Sequence, residues 1–113
     1  MKKIYSNAQR EYLAAKELFE KTSKVMEAKI QNITLIREIQ QNEMEKLVLE
    51  TGFHGAFQSL TDAENALIDW SHIAIREEKE YKENVEHFQN MYANLHTNPQ
   101  ARATIIDLAM KLK

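Results

Sequence analysis

A chain of 113 residues with 43% hydrophobic and 28% charged residues has the length and composition of one soluble globular domain. Two glycines and one proline are too few for the many turns of a sheet-rich fold, and the absence of cysteine excludes disulfides, thiolate metal sites and a cysteine nucleophile. The net charge of −2 comes from nearly balanced acids and bases and lacks the basic excess of a typical nucleic-acid-binding surface.

The first predicted helix covers residues 6–50, a stretch without glycine or proline. Its apolar residues recur every seven positions, which is typical of long helices that pack side by side at a shallow angle. These residues form one apolar strip along the helix, here called a seam, which contains Tyr5, Tyr12, Phe19, Met26, Ile33 and Leu47. One polar residue, Gln40, interrupts the seam.

Both glycines lie in the stretch ETGFHGAFQ and predict a turn over residues 51–56. Gly52 suits the position after a helix C-cap, where a left-handed backbone costs glycine little. Gly55 gives the chain room to reverse, and we expect Phe53 and Phe57 to cover the end of the apolar seam.

The second predicted helix covers residues 57–96, with Thr61 and Glu64 as a capping box near its start. Folding the chain about residues 53–54 brings its seam opposite the first one, which predicts a long antiparallel hairpin resembling a coiled coil. The apolar members of this second seam are Leu60, Leu67, Ala74, Tyr81, Phe88 and Leu95.

A short third helix is predicted over residues 99–112, with Asn98 as its cap and Pro99 at its first position. The fold class predicted for residues 1–113 is therefore a single all-α domain, a helical hairpin plus a short C-terminal helix. We expect homodimerisation to complete a helical bundle.

Four histidines raise the question of a metal site. His72 and His87 lie about 22 Å apart along one predicted helix, too far to share an ion, and the Glu-x-x-His motif of di-iron bundles does not occur. The chain also lacks a phosphate-binding loop and a nucleophile motif. We therefore expect no metal, no cofactor, no catalytic residues and no enzymatic activity.

The apolar residues outnumber those that the hairpin seam uses, and the short third helix cannot reach the hairpin tip. A contiguous apolar surface of this size usually marks a partner site. We expect it to bind a second copy of the chain and another protein through residues near the tip, namely Leu35, Ile39, Val48, Phe53, Ile68, Trp70, Ile73 and Ile75.

The N-terminal residues lack the apolar segment of a secretory signal peptide, and no apolar run approaches the length of about 18–20 residues that spans a membrane. We expect a cytoplasmic protein without membrane contact. Leaderless secretion stays open as an alternative.

The tripeptide Phe53-His54-Gly55 resembles the turn of the small helical-hairpin substrates of type VII secretion, which carry Trp-x-Gly between two long helices. This resemblance implies a leaderless secreted helical protein that is usually dimeric. The secretion signal of that family is Tyr-x-x-x-Asp/Glu, whereas Tyr81 is followed four residues later by Val85.

The sequence thus predicts a non-enzymatic protein–protein interaction module, of the kind found among small adaptors, inhibitors and assembly factors of bacteria and phages. One alternative is the secreted helical-hairpin protein. A second alternative is weak nucleic-acid binding by a broken basic strip on the first helix, which contains Arg10, Lys16, Lys21, Lys24 and Lys29 among interleaved glutamates.

Overall fold

The computed structural model describes residues 5–113, and within this range every regular element is an α-helix. This confirms the predicted all-α class. The helices are α1 (Tyr5–Thr34), α2 (Gln41–Glu50), α3 (Phe53–Arg76), α4 (Lys79–Glu83), α5 (Val85–Ala93) and α6 (Pro99–Lys111).

The chain divides into two compact units where the sequence predicts one domain. The terminal unit contains residues 5–10 and Glu64–Lys113, and the central unit contains Glu11–Ala63. Both boundaries fall inside helices, so α1 and α3 each contribute residues to both units.

The single helix predicted over residues 6–50 is wrong, because the chain leaves the helical conformation between α1 and α2. The amide of Ile36 donates to the carbonyl of Ile33 at 3.0 Å, a tight turn that ends α1. Three of the four residues from Ile33 to Ile36 are β-branched, including Thr34, and such residues lower helix propensity. A seven-residue repeat indicates which side chains share a helix face, but it does not reveal a local stretch of low helix propensity.

An ion pair links the connection between α1 and α2 to the first turn of α2. The guanidinium of Arg37 donates two hydrogen bonds to the carboxylate of Glu43 in the first turn of α2. These hydrogen bonds are the main cause that lowers the pKa of Glu43 below its usual value. The same carboxylate accepts from the backbone N–H of Gln40 at 3.5 Å, so α2 begins directly after Gln40, the polar residue in the predicted seam.

The connection between α2 and α3 is shorter than the predicted turn over 51–56. Only Thr51 and Gly52 lie outside the helices, and Gly52 has φ +75°, in the left-handed region that favours glycine. The amide of Ala56 already donates to the carbonyl of Gly52 at 2.9 Å. Gly55 therefore belongs to the first turn of α3.

Helix α3 begins at Phe53, four residues before the predicted start. Thr61 consequently lies inside the helix, where its hydroxyl donates to the carbonyl of Phe57 at 3.0 Å. The Thr61 and Glu64 pair is thus not the cap of this helix, which corrects the predicted capping box.

The second long helix, predicted over 57–96, is also interrupted, since α3 ends at Arg76 and Asn84 separates α4 from α5. Tyr81 and Phe88 are both buried, and their ring centroids are 5.2 Å apart. In a straight helix, residues seven apart are separated by about 10.5 Å along the axis. The kink at Asn84 (φ −137°, ψ 45°) lets both rings pack in the same part of the core.

The core of the terminal unit is formed by α3, α4, the α5–α6 pair and the start of α1. The predicted cap of α6 is confirmed: the Asn98 side chain accepts from the amides of Gln100 and Ala101 at 3.0 and 3.3 Å, and Pro99 is the first helical residue. Side chains with no exposed surface include those of Leu67, Ser71, Ile75, Ile105 and Ala109.

Polar contacts fasten α6 at both ends. The Gln9 side-chain amide donates to the carbonyls of Ala109 and Leu112 at 2.8 and 3.1 Å, which satisfies acceptors at the C-terminal end of α6. Near the start of α6, Arg102 donates to Glu64 at 3.3 Å and to Asn65 at 2.8 Å on α3.

The central unit is built around a small aromatic cluster. The ring of Phe19 on α1 lies 5.5 Å from Phe53 and 6.1 Å from Phe57, measured between centroids. Met26 and Leu47 are buried in the same unit. The predicted register assumed one reversal at residues 53–54, whereas the chain also turns at residues 35–40, and the start of α3 therefore contacts the middle of α1.

Candidate protein-binding face on helix α3

Helix α3 leaves two large apolar side chains in solvent in the terminal unit. Trp70 is 57% exposed and Ile73 is 76% exposed, and their i, i+3 spacing places them on one side of the helix. The opposite side carries Ile68, Ser71 and Ile75, which are buried. The apolar pair thus belongs to a rigid helix whose other side is fixed in the core.

Two residues of opposite charge lie along one edge of the apolar pair. Asp69 and Arg76 are exposed and seven residues apart, so they lie along the same edge of the Trp70–Ile73 strip, about two helical turns from each other. Within residues 5–113 neither takes part in a salt bridge. We call these four residues, Asp69, Trp70, Ile73 and Arg76, the α3 outer face.

A neutral aromatic pair lies beside this face. The rings of His72 and Tyr92 meet edge to face with centroids 4.5 Å apart. Burial lowers the pKa of His72, and the nearby charge of Arg76 lowers it further against the opposing effect of Asp69. Burial likewise raises the pKa of Tyr92 to about 12. The pair is uncharged at neutral pH and supports α3 by packing.

The Tyr92 hydroxyl is unusual in this unit. Its oxygen is buried and has no hydrogen-bond partner in the described part of the chain. A buried hydroxyl without a partner has a free-energy cost that the surrounding packing must offset. This group was not identified from the sequence, because its burial depends on how α5 packs.

The terminal unit contains surface grooves. One of about 280 Å³ is lined by Asn65, Ile68, Asp69, Leu95, His96 and Arg102. The guanidinium of Arg102 is engaged there by Glu64 and Asn65. Within residues 5–113 no group of three or more histidine, aspartate or glutamate side chains is arranged to hold a metal ion.

The sequence-predicted partner residues separate into buried and exposed sets. Ile68 and Ile75 are 6% and 0% exposed and belong to the core, which corrects their assignment to the surface. The seven-residue repeat predicts only one buried seam on this helix, whereas the buried side of α3 also includes Ile68, Ser71 and Ile75. Trp70 and Ile73 remain exposed side by side, as expected.

The other predicted partner residues belong to the central unit. Leu35 is 84% exposed in the turn between α1 and α2, while Ile39, Val48 and Phe53 are half-buried. The neighbouring Ile36 is 85% exposed and was not among the predicted partner residues. The β-branched residues Ile33 and Thr34, which precede Ile36, were the sequence feature that indicated the end of the helix here.

Comparison with known proteins finds no family model, no curated protein and no solved structure that matches this chain. The tripeptide Phe53-His54-Gly55 forms the first turn of α3 and is not the connection between two helices. Among the helices of residues 5–113, none has both the length and the apolar character that a membrane crossing requires.

Proposed function

We propose that this protein is a non-enzymatic protein–protein interaction module that binds its partners, a second copy of itself among them, through the α3 outer face. The observation that carries the proposal is the exposure of Trp70 and Ile73 next to each other on one helix. Tryptophan is strongly enriched among the residues that dominate binding energy at protein interfaces. Covering these side chains removes apolar surface from water at about 25 cal/mol per Å².

The rigidity of the face supports the same proposal. The Ser71 hydroxyl is buried and donates to the carbonyl of Leu67 at 2.6 Å, and Ile75 is completely buried one turn later. The hydrogen bond satisfies the hydroxyl within α3, and the burial of both side chains fixes this side of the helix in the core. A surface that is already ordered before binding loses less conformational entropy when a partner docks.

The spacing of the face indicates how a partner is recognised. Apolar anchors at i and i+3 suit a helix or a groove laid along α3. Asp69 and Arg76 place one negative and one positive charge at the edge of the contact, where charges set orientation and specificity more than affinity. We assign the protein to the small adaptors, inhibitors or assembly factors that act in the cytoplasm, by analogy with other small helical modules.

An exchange of Ile73 for glutamate tests the proposal. Purified chain immobilised on beads captures partners from the native cells, and sedimentation measures self-association. The Ile73→Glu variant should lose at least about tenfold in binding, since a carboxylate cannot be buried against an apolar partner without a large cost. Its helix content and thermal unfolding should match those of the unchanged protein.

Ile36→Glu is the matched control, because it is the same substitution at a similarly exposed isoleucine in the central unit. It should leave partner capture and self-association unchanged. Equal binding by the Ile73→Glu variant and the unchanged protein would refute the proposed function.

A further inference from the structure

We propose that the α3 outer face binds the same face of a second copy of this chain, with the two α3 helices antiparallel. This inference rests on the proposed function above and adds the identity of one partner and its orientation. It is carried by the order of charges and apolar residues along α3, together with the absence of salt bridges to those charges within residues 5–113.

Twofold symmetry pairs the apolar residues. When the axis passes between Trp70 and Ile73, residues at equal distances on either side of it come opposite each other. Trp70 then packs against the partner's Ile73, and Ile73 packs against the partner's Trp70. Such a self-complementary contact is the commonest form of a closed homodimer.

The same arrangement pairs the charges. In an antiparallel helix pair, residues that flank the apolar strip on one edge meet the equivalent edge of the other helix. At 1.5 Å per residue, Asp69 lies within about 3 Å along the axis of the partner's Arg76. Symmetry repeats this contact, so one dimer contains two Asp69–Arg76 pairs.

The parallel alternative lacks these charge pairs. In a parallel pair related by a twofold axis along the helices, each edge of the apolar strip meets the opposite edge of the partner, so the edge with Asp69 and Arg76 does not meet its equivalent. The order of charges on α3 therefore selects the antiparallel orientation.

Both side chains are available for this pairing. Nearby charged residues are already engaged within the chain: Lys82 lies 3.5 Å from Glu77, and Arg102 lies 3.3 Å from Glu64. Asp69 and Arg76 are exposed instead, so dimerisation breaks no existing salt bridge of the described residues. Two apolar side chains per copy make a small interface, which belongs to the weak, transient class.

Charge exchange tests the orientation by sedimentation velocity in low salt, at protein concentrations from about 5 to 500 μM. Asp69→Arg and Arg76→Asp each turn two attractive contacts into two repulsive ones, so each variant should dimerise about tenfold more weakly than the unchanged protein. The double variant restores opposite charges and should dimerise within about threefold of the unchanged protein. An equimolar mixture of the two single variants should form a heterodimer, since one carries two arginines and the other two aspartates at these positions.

Glu45→Arg on α2 is the control for a general effect of charge, because Glu45 is exposed and forms no salt bridge in residues 5–113. Its dimerisation should equal that of the unchanged protein. Circular dichroism of every variant should show the same helix content, as expected for exposed positions.

The outcomes separate the two proposals. A protein that is monomeric at about 500 μM overturns the inference, and so does a double variant as weak as the single ones. If Ile73→Glu abolishes dimerisation while the charge variants leave it unchanged, the face is an interface but the antiparallel pairing is wrong. If Ile73→Glu also leaves dimerisation and partner capture unchanged, both proposals fail.

Discussion

Replacement of Tyr92 by phenylalanine should make the protein more stable. The Tyr92 hydroxyl is buried without a hydrogen-bond partner in the described residues. An unsatisfied buried polar group costs about 1–3 kcal/mol, and the lower end applies because the side chain as a whole is only half-buried. We therefore expect Tyr92→Phe to raise the free energy of unfolding by about 1 kcal/mol, since the ring packing on His72 is kept.

Tyr5→Phe is the matched control. The Tyr5 hydroxyl donates to the carbonyl of Lys113 at 2.7 Å, so its removal deletes a hydrogen bond. This variant should lose about 1 kcal/mol of stability, opposite in sign to the effect of Tyr92→Phe. Urea denaturation followed by circular dichroism measures both values under the same conditions.

The pH dependence gives a second readout of the same hydroxyl. Burial raises the pKa of Tyr92 to about 12 in the folded protein, while an unfolded tyrosine ionises near pH 10. Above pH 10 the unfolded state therefore releases a proton that the folded state keeps, and stability falls as pH rises. The advantage of Tyr92→Phe should increase between about pH 10 and pH 12. A Tyr92→Phe variant less stable than the unchanged protein would refute the reasoning, because it would mean that the hydroxyl makes a favourable bond.

Three further predictions concern the turns and His72. Gly52→Ala should lose about 1 kcal/mol of stability because φ is +75° at this position. Gly55→Ala should gain at least a few tenths of a kcal/mol, because Gly55 lies in a helix with open space around it. Equal effects of the two substitutions would contradict the assignment of Gly52 to the turn and Gly55 to the helix. Asn98→Ala should lose about 1 kcal/mol in urea denaturation through loss of the α6 cap, and an unchanged midpoint would exclude that role. Burial lowers the pKa of His72 below 6.5, so the unfolded state takes up a proton before the folded state does, and stability should fall as pH drops below about 6.5. The His72→Gln variant should show a weaker dependence of stability on pH. An unchanged dependence would contradict the role assigned to His72.

The helical class and several local signals could be predicted from the sequence because they depend on residues close together in the chain. Asn98 followed by Pro99 specifies a helix start through the side-chain cap and the fixed φ of proline. Gly52 follows α2 with the positive φ that glycine tolerates.

The breaks in the long helices could not be derived from the seven-residue repeat. The repeat continues through Gln40 and Asn84 because it depends on which face each side chain occupies, not on backbone hydrogen bonds. The Tyr81–Phe88 contact favours a kink only once both rings are buried together, and that is a tertiary effect. The ion pair between Arg37 and Glu43 similarly forms only after the chain has turned.

The candidate face could be predicted only in part, because burial on α3 also depends on tertiary contacts. Trp70 and Ile73 could be selected as surplus apolar residues, but Ile68 and Ile75 could not be assigned to the core without knowing which elements cover α3. The proposed pairing of Asp69 with Arg76 of a second copy rests on both side chains lacking salt bridges within residues 5–113, which only the folded arrangement reveals.

The fluorescence of Trp70 tests the central claim most directly, because Trp70 is the only tryptophan of the chain and lies on the α3 outer face. Emission is recorded while the protein concentration rises from about 5 to 500 μM, a range that covers weak association. The account predicts that the emission maximum moves to shorter wavelength as the partner covers the indole, and that Ile73→Glu abolishes this shift. An emission maximum that stays constant over the whole range, or a shift that Ile73→Glu leaves intact, would contradict the account.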